Sequence, residues 1–285
     1  MHKRKLGLLG VLLSVALQLT AQGPQSYTFK VGDQFRVTAE VNQDIIQTML
    51  GQEMETKQTI TTVDFYEVVA VTNEGYKMRT TGLSRSLYTE AGGGSVAIDS
   101  EKEGDDNLAF RVLTGKSYYV VMNRYGRLLR FEGMDDFNNA VKSDLAGTIL
   151  EDQADALLTA FEEKPLKTAF NGQFYIYKEP GKDWGRSVDT EINQLPISVD
   201  YTFSRVDAQT IKATGPMVMV GEMEIMGNQM TADMSGDQTT FFKVDSSTGL
   251  PSTINTLQSM TGSLEVSDLT VPMTLKTEVS VKITK

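Results

Sequence analysis

The sequence predicts a mainly β protein with a helical insert: a long-stranded, curled antiparallel sheet of half-barrel type, made of two related β meanders that flank an amphipathic helical segment. Three observations carry that expectation. Apolar and polar residues alternate with period two from Tyr27 to Leu87, the same pattern returns from Trp184 to the C-terminus, and one stretch between them, Met134 to Thr168, has helical spacing. Long strands twist and curl, and an amphipathic helix needs an apolar surface to cover.

The chain opens with His2-Lys3-Arg4-Lys5 and an apolar run from Leu6 to Leu19, too short for a comfortable membrane span and ending in small or polar residues. Residues 1–21 are therefore expected to be a cleaved secretory signal, with cleavage after Ala21 or, next, after Gly23. Its loss removes three basic residues and no acidic one, so the mature chain is more acidic than the formal −10 of the full sequence. Such a surface repels nucleic acid and anionic head groups, and nucleic acid is not an expected partner. With no cysteine there is no disulfide and no lipid-bearing cysteine, and with no transmembrane segment after the signal the expected address is the periplasm or the exterior. The one histidine, His2, lies inside the signal. Serine and cysteine nucleophiles with a histidine base, and nitrogen or sulfur zinc sites, are excluded together. No catalytic residue, metal ligand or cofactor is assigned, and the chain is expected not to be an enzyme.

The N-terminal meander, residues 22–133, begins with Tyr27, Phe29 and Val31, turns at Gly32-Asp33, and alternates again through Phe35, Val37, Ala39 and Val41. Thr56 to Val71 is a second long strand and Tyr76 to Leu87 a third. Gly92-Gly93-Gly94 reads as a flexible opener to a charged loop. Asp99, Glu101 and Glu103 there have calcium-loop spacing, but Phe110 stands where the bidentate Glu belongs, which favours a solvated loop. Leu108 to Leu113 suits a short helical turn, and Tyr118 to Met122 and Leu128 to Phe131 form a hairpin about Asn123-Arg124-Tyr125-Gly126.

The helical segment, residues 134–178, has one apolar stripe at Phe137, Val141 and Leu145 and another at Leu157, Leu158 and Phe161 before Pro165, with a hinge expected at Gly147. In the C-terminal meander, residues 179–285, strands are expected at Arg186–Ile192, Ile197–Val206, Thr210–Met226, Thr239–Asp245, Pro251–Val266 and Met273–Ile283. Residues 22–285 are expected to form one continuous unit. Four short matches run in the same order in both meanders: Gly32-Asp33 with Gly181-Lys182, Val63-Asp64-Phe65 with Val199-Asp200-Tyr201, Thr81-Gly82 with Thr214-Gly215, and the aromatic runs before Gly126 and Gly249. Their collinearity suggests a duplication.

Met217, Met219, Met223, Met226, Met230 and Met234 crowd one region, and adaptable apolar lining explains them better than soft-metal ligation, because their spacings fit no fixed geometry. Trp184 beside a turn is read as a packing residue, with ligand stacking as the alternative. Paired carboxylates offer the only histidine-free hydrolytic chemistry, and no signature selects a pair.

The exported start, Val31-Gly32-Asp33, Gly51-Gln52-Glu53-Met54, Asn123 to Gly126 followed by Phe131-Glu132-Gly133, and Ser247-Thr248-Gly249-Leu250 resemble an uncharacterised family of secreted β-rich proteins from Gram-negative bacteria, defined only as a domain of unknown function. A looser resemblance, of fold alone, is to periplasmic lipoprotein carriers, in which a curled sheet closed by helices surrounds an apolar pocket. The resemblance is of fold and not of function; the reading of an amphipathic helical stripe across a curled sheet gives the expectation of a non-catalytic cell-envelope protein holding an apolar or lipid-like ligand, with Phe137, Val141, Leu145, Leu157, Leu158, Phe161, Met217 and Met219 as cavity wall. The alternatives are a structural module that meets an envelope protein or glycan and, more remotely, a carboxylate-dependent hydrolase. If the helical stripe touches the sheet it is core; if a gap intervenes it is a binding wall.

Overall fold

The computed structural model describes residues 23–192, 195–225, 228–266 and 269–285. The expected signal and Met226 lie outside them. Twelve strands form one antiparallel sheet: β1 Gln34–Met49, β2 Gln52–Val71, β3 Tyr76–Ala91, β4 Gly94–Asp99, β5 Ser117–Met122, β6 Leu128–Glu132, β7 Gly185–Ile192, β8 Leu195–Arg205, β9 Thr210–Ile225, β10 Asn228–Val244, β11 Pro251–Val266 and β12 Leu269–Thr284. The helices are α1 Leu108–Arg111, α2 Met134–Leu145, α3 Ala154–Leu158 and α4 Glu163–Phe174.

The strand order is β6-β5-β3-β2-β1-β12-β11-β10-β9-β8-β7, with β4 also on β3. The first and last strands therefore pair in the middle of the sheet, Val37 opposite Ile283 and Ile45 opposite Leu275. Both outer edges, β6 and β7, meet the helical connection. Each meander runs the same way round the sheet, and the matched segments fall on β2 and β8, β3 and β9, and β5 and β10.

Strand alternation puts Phe35, Val37, Tyr66, Val68, Met78, Val120, Phe203, Ile211, Phe242 and Ile283 on one inner face, where they form an aromatic-rich floor at one end of the curl. Stacked and edge-on rings, Phe35 on Tyr66 at 5.1 Å and Tyr66 on Phe174 at 5.6 Å, bind the sheet to α4. Two hairpin turns close this end by the same device. Asn123 Oδ1 accepts the amides of Tyr125 and Arg127, and Asp245 Oδ1 accepts those of Ser247 and Thr248. Segments that precede β1 and β7 then lace the turns together: Tyr27 N donates to Arg124 O and Thr28 N to Thr248 O, while Tyr177 OH donates to Gly249 O at 2.5 Å. Gly126 and Gly249 both need positive φ, +93° and +74°, and a Cβ on Gly126 would stand 1.7 Å from Phe174 O.

The helical insert breaks at Gly147, whose φ is +74°. It runs beyond the expected Thr168: α4 continues to Phe174. Pro165 occupies the first turn, where its missing N–H costs no intrahelical bond. The Gly92-Gly93 stretch is not a flexible opener. Both residues have positive φ, 58° and 81°, and make a tight hairpin that pairs β4 with β3. Strand β10 begins at Asn228, well before the expected Thr239, and extends the sheet through Asp233 and Asp237.

α4 seals the seam between the two sheet edges. Asn171 Oδ1 accepts the amide of Leu128 on β6 at 2.9 Å, and the Asn171 carbonyl accepts Arg186 Nη2 of β7 at 3.3 Å. Arg186 Nη1 also donates to Tyr175 O, so a cation caps the negative end of the helix.

Candidate functional site

The inner face changes character along the strands. Above the aromatic floor runs a neutral polar rung whose members are direct cross-strand partners: Thr89, Gln58, Gln43, Thr277, Gln258 and Gln238, one each from β3, β2, β1, β12, β11 and β10. Gln258 Nε2 donates to Gln238 Oε1 at 2.7 Å, and Gln238 Nε2 to Tyr201 OH at 2.8 Å. Gln43 Nε2 reaches Thr277 Oγ1 at 3.4 Å and Gln58 Nε2 reaches Thr89 Oγ1 at 3.3 Å, both long.

Two kinds of apolar surface adjoin the rung. On the C-terminal meander, Ile197, Val199, Met217, Met219, Ala232, Met234 and Met260 are packed to 5% exposure or less. Over β1 to β4 and β12, Val41, Ile45, Ile60, Leu87, Ile98 and Leu275 share the inner face and are only half-buried. That half-buried strip is the candidate site. Its lip carries exposed Met49, Leu50 and Met54 at the β1–β2 turn.

The eight residues predicted as cavity wall fall into two separate groups. Phe137, Val141, Leu145 and Leu158 are buried in one small core with Leu108, Val112 and Leu113, and Leu157 and Phe161 pack against it. Tyr118 joins this core to β5, its ring 5.6 Å from that of Phe137. Met217 and Met219 lie in the other cluster with Met260, beside partly buried Met230 and Met273. Met260 and Met273 are lining residues that the sequence reading missed, because only the register of β10, β11 and β12 brings them beside Met234.

Below the rung, Asp64 and Arg85 make a 3.0 Å ion pair where sheet and helices meet, and Arg85 lies 5.7 Å from the Phe161 ring centre. Burial raises the Asp64 carboxyl above its ordinary value, although the Arg85 guanidinium opposes it. Burial likewise lowers Arg186 to about 10, and its guanidinium rests over the rings of Tyr175 and Phe203. Trp184 packs: its Nε1 donates to Ile176 O and its ring stacks on Phe203. An open cleft of about 570 Å³ lies between β6, α2 and the start of α4. Its lining includes Asp135, Asp136, Glu162 and Glu163, and of the eight predicted wall residues only Phe161 borders it. The Asp99 loop closes on itself, with Asn107 Oδ1 accepting the Asp99 amide and Asn107 Nδ2 donating to Glu103 O. Among the described residues no group of three or more acidic side chains is placed to hold a metal ion, and no helix is long and apolar enough to cross a membrane.

These features define an open, curled antiparallel sheet with a charge-poor inner face. The chain belongs to a family of unknown function, DUF6263, whose model matches residues 73–251. No curated protein matches it. A solved structure of lipovitellin, described as showing lipid–protein interactions, is similar over 90% of this chain at 6% identity with a TM-score of 0.52, which shows a shared fold. This chain spans about a quarter, 26%, of the length of that one. The Pseudomonas aeruginosa OccK5 structure aligns over 89% of this chain and 99% of its own at 7% identity, but a TM-score of 0.22 carries no argument.

Proposed function

We propose that the protein is a non-catalytic binder of an apolar, lipid-like ligand in the cell envelope, exported by the signal expected at residues 1–21. The observation that carries this reading is the half-buried apolar strip of Val41, Ile45, Ile60, Leu87, Ile98 and Leu275 on the inner face. The helical insert packs lower, on Tyr118 and the 108–113 segment, and builds its own small core there. Burying about 300 Å² of such surface under a ligand is worth roughly 7 kcal/mol before the cost of association. The fold shared with lipovitellin, a protein whose structure is described in terms of lipid–protein interactions, supports the reading. The absence of histidine and cysteine from the chain after residue 2 supports a non-catalytic role.

The test is direct. Protein purified without detergent from its own envelope, extracted and analysed by mass spectrometry, is expected to release lipid in stoichiometric amount, and the delipidated protein is expected to bind diphenylhexatriene. No released lipid together with no probe fluorescence would overturn the proposal. A second reading, a module that meets an envelope protein or glycan, draws on Val218, Val220, Phe241 and Leu257, which are exposed. Under it, substitution of those four with Ser abolishes a pull-down and leaves probe binding intact.

A further inference from the structure

We infer that the ligand's polar group is uncharged, an acyl ester or similar neutral lipid and not a free fatty acid. This rests on the apolar-ligand reading above and adds the chemistry of the polar end. The argument begins with the distribution of charge along the long strands. Period-two alternation sends Glu40, Asp44, Glu55, Lys57, Glu90, Asp233, Asp237, Lys276 and Glu278 to the outer face. At and above the rung, the inner positions of the described strands β1 to β4 and β8 to β12 hold only aliphatic, methionine, small and neutral polar residues. A carboxylate brought there would meet no cation and would lose its hydration, which costs several kcal/mol for an ionised group.

The rung supplies what an uncharged polar group needs. Gln258 and Gln238 are engaged in short bonds in the packed half. Gln43 and Gln58, in the half-buried strip, each place one N–H in a long bond to a threonine, 3.4 and 3.3 Å. Both side chains can therefore turn an N–H toward an ester carbonyl or hydroxyl. Ile45 and Leu275 lie on one side of these amides along the strands, and Val41 and Ile60 on the other, so a chain lying in the strip passes over the rung. The buried cations are committed elsewhere: Arg85 to Asp64, and Arg186 to the end of α4.

The experiment compares one tetraene chain in two forms, cis-parinaric acid and its methyl ester, with diphenylhexatriene as a hydrocarbon control, all titrated into delipidated protein and followed by fluorescence. At pH 8 the ester is expected to bind at least tenfold more tightly than the acid, and the gap to narrow as the pH falls and the acid becomes neutral. The double variant Gln43→Leu/Gln58→Leu is expected to lose about tenfold in ester affinity while binding diphenylhexatriene as the unsubstituted protein does. If the acid binds as tightly as the ester at pH 8, or the double variant binds the ester unchanged, the inference fails and the apolar-ligand reading stands. If none of the three probes binds, both fail.

Discussion

Asn171→Ala tests whether α4 closes the seam of the sheet. The Asn171 side chain accepts the amide of Leu128, and Leu128 is itself 3% exposed, so its N–H has no water to turn to when the acceptor is removed. A buried amide without a partner costs about 1–3 kcal/mol. Loss of the Asn side chain in the last turn of the helix is offset by a few tenths of a kcal/mol through the better propensity of Ala. The expected net destabilisation is about 1–2.5 kcal/mol in urea unfolding, read as a lower midpoint at unchanged slope. Asn171→Asp keeps an acceptor at the same place and is expected to recover most of the loss. Hydrogen exchange localises the effect: the Leu128 amide is expected to exchange at least tenfold faster in Asn171→Ala, with protection in the paired β1 and β12 strands unchanged. An Asn171→Ala protein within 0.5 kcal/mol of the parent, with Leu128 protected as before, would refute the seam argument.

Three other outcomes follow from the same geometry. Gly126→Ala is expected to cost more than about 3 kcal/mol, from a Cβ driven against Phe174 O and a positive φ, and to appear largely as insoluble protein or a much lower melting temperature. Glu179 is held down at about 2: burial alone would raise it, but hydrogen bonds from Lys182, Arg127 and Tyr175 outweigh that. Its folded value lies below the unfolded one of about 4.3, so the stability it supplies is present above that pH and lost as pH falls toward 2. Glu179→Gln should therefore cost about 1–2 kcal/mol at pH 7 and almost nothing at pH 2, measured by urea unfolding at both. Arg85→Leu strands the Asp64 carboxylate in the interior and is expected to cost about 3–5 kcal/mol at pH 7. With the guanidinium gone, burial holds the folded Asp64 value above the unfolded one, so this variant should regain stability relative to the parent as pH falls through that raised value; an equal deficit at pH 4.5 and pH 8 would count against the pairing.

The features that could be read from sequence were those that repeat. The helical stripe of Phe137, Val141 and Leu145 is buried as its period required, and the hinge at Gly147 has the positive φ that a glycine there suggested. Alternation located most strands, and the curled antiparallel architecture followed from their length. What escaped had no period. In β10 the inward alternation of Met230, Ala232 and Met234 breaks at Gly236 and Gln238, and these small and polar inner residues hid its continuity with Thr239. The rung was invisible for the same reason: a glutamine within an alternating strand reads as outward-facing until the register shows six strands contributing a polar side chain at one level. Asn171 and Arg186 are single residues whose partners are 43 and 15 positions away, a distance no local pattern reports. The predicted cavity wall joined helix and methionine residues because both are apolar; the structure separates them into a helical core and a packed sheet face.

Seam and strip bear on each other through the backbone. In a closed barrel, an interior site opens only if strand hydrogen bonds break or the ligand passes an end. Here α4 ties β6 to β7 near the floor, but above it the outer edges of β4 and β7 pair with no other strand among the described residues. Under the function proposed above, an acyl chain reaches the inner face from the side without breaking a ladder bond, and loading then carries no penalty from the sheet itself. The same opening leaves two edges that could pair with another chain, a hazard that proteins counter with short strands and charge. β4 is six residues and β7 eight, and β7 carries the exposed Asp189. Edges this short offer little template to another strand. Loading should then be limited by ligand delivery, and α4 variants such as Asn171→Ala should change stability while leaving the association rate of diphenylhexatriene within about twofold.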